Sequence, residues 1–176
     1  ITGLWPDGPV DRFLNKIGIS PEGRFTAHNC RYVYKGQAID TGSDMHSTIA
    51  ALADQFPDES DALSAFYQDA ATAYQQLYEY SAKFETPLPD HLVVRLMGDK
   101  AAAQLPRQYP NLYDWLDKTL QQKLDTYLRS DDLKAIIAAT SSQNGTTPDA
   151  TPGLRAILAC LGPQLAGRYY PAGGPG

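Results

Sequence analysis

Cysteine, histidine and clustered basic residues are all scarce in this chain, and each scarcity removes a class of function. Cys30 and Cys160 are the only cysteines, they lie far apart in no metal-binding or redox spacing, and both are read as buried thiols. His28, His46 and His91 are scattered without ligand spacing, so no metal site is expected. The net charge of -5, with an isoelectric point near 5.0 and no Lys/Arg cluster, argues against nucleic acid as a partner. No apolar run approaches the roughly 18 residues that cross a bilayer. The opening Ile-Thr-Gly-Leu-Trp-Pro has neither the basic nor the apolar region of a signal peptide, and a cytoplasmic location is expected. Reaction motifs are missing too: there is no Gly-x-Ser-x-Gly elbow, phosphate loop, GxGxxG turn or helical histidine pair. Asp58, Glu59 and Asp61 sit at a helix start, where the helix dipole explains them without paired acid/base chemistry. No catalytic residue is assigned, and any reaction is expected to depend on a cofactor held elsewhere.

What remains is an ordinary globular composition, 43% hydrophobic and 20% charged over 176 residues, enough for one domain spanning residues 1–176 with a real core. Val10, Phe13, Leu14 and Ile17 recur at helical spacing after a turn cluster at Pro6 to Pro9. From Arg31 to Ile39 the pattern is two strands about Lys35-Gly36, a hairpin. Ser43-Asp44 caps a helix that ends before Pro57, and a long helix follows from about Asp58 to Lys83. Thr86 to Pro89 break it. Leu112, Trp115, Leu116, Leu120, Leu124 and Leu128 predict one amphipathic helix, and Ser130-Asp131 start another that Asn144-Gly145 stops. The Asn144-Gly145-Thr146 sequon would matter only in a secreted protein and is read as turn chemistry. A final helix runs from Thr151-Pro152 to about Leu161, ahead of Gly162-Pro163 and a closing strand at Tyr169-Tyr170. The fold class expected is α+β, a small, mostly antiparallel sheet (N-terminal hairpin plus C-terminal strand) covered by six or seven helices.

Two stretches stand out as candidate sites. On the long helix Leu63, Phe66, Ala70, Tyr74, Leu77 and Tyr78 form a stripe unusually rich in aromatics, which reads either as the lining of a cavity for a large apolar ligand or as core packing. Leu92, Val93, Val94, Leu96 and Met97 form a short apolar run that is a buried helix or a lid over a pocket. The chain then closes on Gly-Arg-Tyr-Tyr-Pro-Ala-Gly-Gly-Pro-Gly, where a strand delivers glycine backbone that a ligand or partner domain can approach closely, or where a flexible tail begins. The opening without Met and the closing turn suggest an internal piece of a longer polypeptide.

The opening Ile-Thr-Gly-Leu-Trp-Pro, the hairpin from Tyr32 to Ile39, the helix junction Gln55-Phe56-Pro57-Asp58-Glu59 and the closing Tyr-Tyr-Pro-Ala-Gly-Gly occur in an order that resembles the interior of the FAD-dependent phytoene desaturase, carotenoid isomerase and retinol saturase family. The resemblance covers nearly the whole chain but only the middle of a family member, whose dinucleotide-binding GxGxxG turn has no counterpart here. It implies a substrate-binding or cap domain, excised from a larger enzyme that desaturates, saturates or isomerises a long apolar, polyene-like substrate with FAD bound mainly by the rest of the polypeptide. Tyr169, Tyr170, Gly173 and Gly174 would then lie near the flavin in the intact enzyme. Phe66, Tyr74, Tyr78, Leu92, Val93, Leu96 and Met97 would line the substrate path. The partners implied are the apolar substrate, the FAD domain of the same polypeptide, and a membrane touched peripherally through the Leu92 to Met97 run. Two alternatives stay open: a free-standing helical module that binds a protein or apolar ligand without catalysis, and a relative of flavin amine oxidases with a different substrate.

Overall fold

The computed structural model describes residues 4, 8–82, 98–139 and 145–174. The chain is an α+β domain in which helices predominate and the strands are short and antiparallel. Helix α1 (Pro9–Lys16) begins with proline in its first turn, as the Pro6 to Pro9 cluster predicts. Strands β1 (Phe25–Ala27), β2 (Cys30–Tyr34) and β3 (Gln37–Thr41) follow. The β2–β3 hairpin turns on Lys35 and Gly36, both at positive φ (48° and 79°), the backbone of a tight two-residue turn. Tyr32 and Tyr34 face inward from β2, while Arg31 and Asp40 pair across the outer face at 2.6 Å. The tip is held down by Asp132, which accepts from the Tyr34 hydroxyl at 3.0 Å and from Lys35 Nζ at 2.8 Å.

Helix α2 (Met45–Gln55) is capped by the Asp44 carboxylate, which accepts from Ser47 N at 2.8 Å. That bond, with smaller contributions from the Ser47 hydroxyl and His46, holds the Asp44 carboxyl below its ordinary value. A single 3-10 turn at Pro57–Glu59 leads into α3 (Ser60–Ala82), the longest element and the spine of the domain. Leu63, Phe66, Tyr67, Ala70 and Ala73 on α3 are buried among Leu120, Leu124, Leu133, Ile137, Ile157 and Cys160. A smaller cluster of Leu77, Tyr80, Leu105, Tyr109 and Leu112 closes the other end of α3.

The stretch from Leu112 to Leu128 departs from the expected single amphipathic helix. Short helices α4 (Asp99–Ala102) and α5 (Leu105–Gln108) precede α6 (Pro110–Leu116), and α7 (Leu120–Tyr127) is separate from α6. The break falls at Thr119, whose hydroxyl accepts from Gln122 N while the Gln122 side chain accepts from Thr119 N, a reciprocal capping box. The backbone freed there pairs with a distant segment: Leu120 N donates to Thr151 O at 2.9 Å and Gly153 N to Lys118 O at 2.8 Å. The leucine spacing ran unbroken through this point, so only the cap residues signalled the break. Helix α8 (Asp131–Ala138) is capped by Ser130, as expected.

Past Thr151, α9 (Gly153–Arg155) widens into a π-helical stretch, Ala156–Leu161, and continues as α10 (Gly162–Leu165). The expected stop at Gly162-Pro163 is therefore not a stop. The wider π turn relieves the clash that Pro163 would make with a regular helical carbonyl, so the helix carries on to Leu165.

The closing strand β4 (Tyr169–Pro171) pairs antiparallel with β1, in the register Phe25↔Pro171, Thr26↔Tyr170 and Ala27↔Tyr169. Its partner is thus a segment whose sequence carries no strand pattern, and the two hairpin strands form a separate two-stranded sheet. Further bonds from His28 N to Arg168 O and from Ala172 N to Arg24 O, both 2.8 Å, extend the pairing at each end. Pro171 is tolerated because a two-stranded sheet has only edge strands. Among the described residues no helix is long and apolar enough to cross a membrane.

Candidate functional site

An open cleft of about 680 Å³ lies where α3, the entrance to α2 and the end of α10 meet β4. Its aromatic walls are Tyr74 and Tyr78 from α3 and Tyr169 from β4. Leu165, Ala166 and Gly167 line it from the segment between α10 and β4, and Ser43, Asp44 and Gln75 add polar groups. Tyr74 and Tyr78 are one helical turn apart, which places both on one face of α3. Their ring centroids are 4.8 Å apart, and the Tyr74 hydroxyl donates to that of Tyr78 at 3.2 Å. Burial, and then this hydrogen bond, raise the Tyr74 phenol well above its ordinary pKa, so it stays a neutral donor at any physiological pH.

Successive residues of a strand point to opposite sides, and β4 uses that alternation to serve two clefts. Tyr169 turns into the large cleft. Tyr170, 52% exposed, points to the opposite side and lines a second cleft of about 400 Å³ at the end of the strand, which the Pro171 to Gly174 turn and Thr26, Ala27 and His28 complete. Gly173 and Gly174 sit at φ of 88° and 90°, with nothing within 4 Å of the place a Cβ would occupy. Their backbone is bare, open to close approach by a flat group.

The sequence candidates therefore divide. Tyr74, Tyr78 and Tyr169 meet in the large cleft, and Tyr170, Gly173 and Gly174 meet in the small one. Phe66 is the correction. It is 0% exposed, and its ring packs edge-on against Tyr67 at 5.3 Å and beside Trp115 and Tyr127 at 6.0 Å, so it is core and lines neither cleft. Tyr74 belongs to the same buried cluster at 7% exposure, but its ring also reaches the cleft, so neighbouring positions of one helix serve core and cleft wall together. Leu92, Val93, Leu96 and Met97 lie outside the described residues. Cys160 is buried, but Cys30 is only partly so, contrary to expectation, and the Arg168 guanidinium reaches its Sγ.

Sequence reasoning missed Ser43, Asp44, Gln75 and Leu165 to Gly167 as cleft residues. Ser43-Asp44 was visible only as a helix cap, and nothing in the chain announced that this cap would face the tyrosines. It also missed the polar network that holds β4 to the body. Tyr67 donates to Gln164 Oε1 at 2.6 Å, Gln164 Nε2 donates to the Tyr32 hydroxyl at 2.9 Å, and Arg168 joins at Tyr32 from 3.5 Å. Burial drives the Tyr67 phenol far above its ordinary pKa, fixing it as donor. A second buried group is Lys123, 1% exposed, paired with Asp69 at 2.5 Å and Asp114 at 2.8 Å, its Nζ 4.8 Å from the centre of the Trp115 ring. Asp69 also accepts from Trp115 Nε1 at 2.9 Å and Asn111 Nδ2 at 2.8 Å, so every member of this cluster is engaged in holding α3, α6 and α7 together. Among the described residues no group of acidic, histidine or cysteine side chains could hold a metal ion.

The features define a helical α+β domain with an aromatic cleft beside the closing strand and a bare glycine turn after it. Comparison of the chain with protein-family models, with curated proteins and with solved structures finds no match.

Proposed function

We propose that this chain is the substrate-binding domain of a flavin-dependent oxidoreductase that desaturates, saturates or isomerises a long apolar, polyene-like molecule. The observation that carries the reading is the division of β4: Tyr169 lines the cleft formed with Tyr74 and Tyr78, while Tyr170 and the turn through Gly173 and Gly174 line a second one. Substrate and cofactor would then meet β4 at neighbouring positions. The three tyrosine rings give an apolar, sequence-tolerant wall for a flat chain, and their hydroxyls together with Ser43, Asp44 and Gln75 leave polar groups for a substrate end.

The bare backbone at Gly173 and Gly174 fits the approach of a flat ring edge, and its N–H and C=O groups would orient that edge. No glycine-rich loop opening a long helix is present among the described residues to cradle a pyrophosphate, so the rest of the polypeptide would hold most of the FAD. Bound flavin would supply the two-electron chemistry. The chain's own part is to bind, orient and exclude water from the apolar substrate, and peripheral contact with a membrane through Leu92 to Met97 would admit it. The alternative, a free-standing module binding an apolar ligand or a protein, uses the same large cleft without the small one.

The test is to express the intact reading frame and record its absorbance with candidate polyenes added. A flavin spectrum that changes on adding a polyene is the expected result. A purified protein without flavin absorbance overturns the enzyme reading and leaves the binding module.

A further inference from the structure

The two best-placed aromatic walls of the large cleft each rest on a glycine of one short segment. A Cβ at Gly162 would stand 3.3 Å from Cε2 of Tyr74 and 3.0 Å from the Ile157 carbonyl oxygen. A Cβ at Gly167 would stand 2.9 Å from Cε2 of Tyr169, which folds back over it. Gly162 is itself buried, lies at the end of the π-helical stretch, and has ordinary helical dihedrals, φ -48° and ψ -44°. Its lack of a side chain is therefore not required by its dihedrals; the space a Cβ would need is held by the Ile157 carbonyl oxygen and the Tyr74 ring. Gly167, in contrast, needs both the space and its φ of 80°.

Tyr74 is 7% exposed, and the cleft is the open side of its ring. A close-packed interior gives little, so a ring pushed from behind moves toward the free volume. From this geometry we infer that Gly162 is a positioning residue that sets the width of the cleft through the Tyr74 ring, with Gly167 doing the same for Tyr169. The π turn has a corresponding role: it lets the helix pass Pro163 without leaving the wall, so Gly162 stays pressed against α3. The ligand class that such a gauge selects is flat and apolar, because width is set between aromatic faces while the cleft remains open along its length. This inference rests on the reading of the large cleft as the substrate site.

The experiment uses Gly162→Ala, a change that helical dihedrals accept and that adds one methyl group against the Tyr74 ring and the Ile157 carbonyl. All-trans-retinol serves as the flat probe, its binding to the intact polypeptide followed by its own fluorescence. Gly162→Ala is expected to weaken retinol about fivefold while lowering the melting temperature by only a few degrees, and to have less than a twofold effect on binding in a Tyr74→Leu background, where no ring remains to be pushed. A second measurement does not depend on affinity: with ring-labelled tyrosine, Gly162→Ala must shift the Tyr74 resonance and leave that of Tyr80 in place. Retinol binding that Gly162→Ala leaves unaltered, an equal loss in both backgrounds, or an unmoved Tyr74 resonance overturns the gauge alone. A wild-type protein that binds no retinol overturns the substrate-site reading and the gauge with it.

Discussion

Lys123 shows how differently two lysines five residues apart behave. Its Nζ is buried between Asp69 and Asp114 and against Trp115, whereas Lys118 pairs with Asp114 in partial contact with solvent. Removing one partner from a buried ion pair leaves an uncompensated charge, and the cost exceeds what the pair contributed. Lys123→Met is therefore expected to destabilise the fold by about 3–5 kcal/mol in urea titrations, against less than about 1 kcal/mol for Lys118→Met. Equal effects would show that Asp69 is satisfied by Trp115 and Asn111 alone. In the sequence both lysines read simply as charges on the outer side of an amphipathic helix. The helix break at Thr119 changes the phase between them and turns Lys123 inward.

The start of α3 makes the same point for a whole element. Asp58, Glu59 and Asp61 read as equivalent acids at the positive end of a helix, yet Glu59 is buried and reaches across to the α7–α8 junction. Its Oε1 accepts from Arg129 N at 3.0 Å and Ser130 N at 2.7 Å, anchoring the residue that caps α8. Glu59→Ala should cost about 1–3 kcal/mol, the range for hydrogen bonds to a charged acceptor plus the donors left unpaired. Asp58→Ala, at an exposed position, should stay within about 0.5 kcal/mol. Denaturant midpoints of the two variants decide between a dipole role shared by both acids and a bridge made by one.

For the molecule as a whole, the charge arrangement sets the pH response. Asp40, Asp44, Asp114, Asp125, Asp132 and Asp149 are all held below the ordinary value of 3.8, mainly by hydrogen bonds from Arg31, the Ser47 N–H, Lys118 with Lys123, Lys134, Lys35 with Tyr34, and Thr147 respectively. A carboxyl whose folded pKa lies below its unfolded one stabilises the fold fully above the unfolded value, and that contribution disappears as pH falls through the folded value. The urea midpoint is thus expected to be level between about pH 5 and 7 and to fall below about pH 4. Asp114→Asn should flatten that acid limb, and an unchanged limb would mean that the Asp114 pairs with Lys118 and Lys123 add nothing to the folded state.

Short-range rules were enough for much of this architecture. Asp44 and Ser130 as caps, Lys35-Gly36 as a hairpin turn, and the helical spacing along α3 act within a few residues, so they are written where they operate. The candidate tyrosines were legible in the same way, as residue types with a period. Three things were decided by packing alone. β4 found its partner in Phe25–Ala27, a stretch with no strand pattern, because unpaired backbone groups had to be satisfied by whatever segment the fold brought alongside. Phe66 and Tyr74 share one buried cluster, yet only Tyr74 reaches the cleft, because their neighbours differ along the helix. The cleft itself joins the α2 cap, the middle of α3 and the segment from Leu165 to Tyr169, and no local preference links stretches so far apart in the chain.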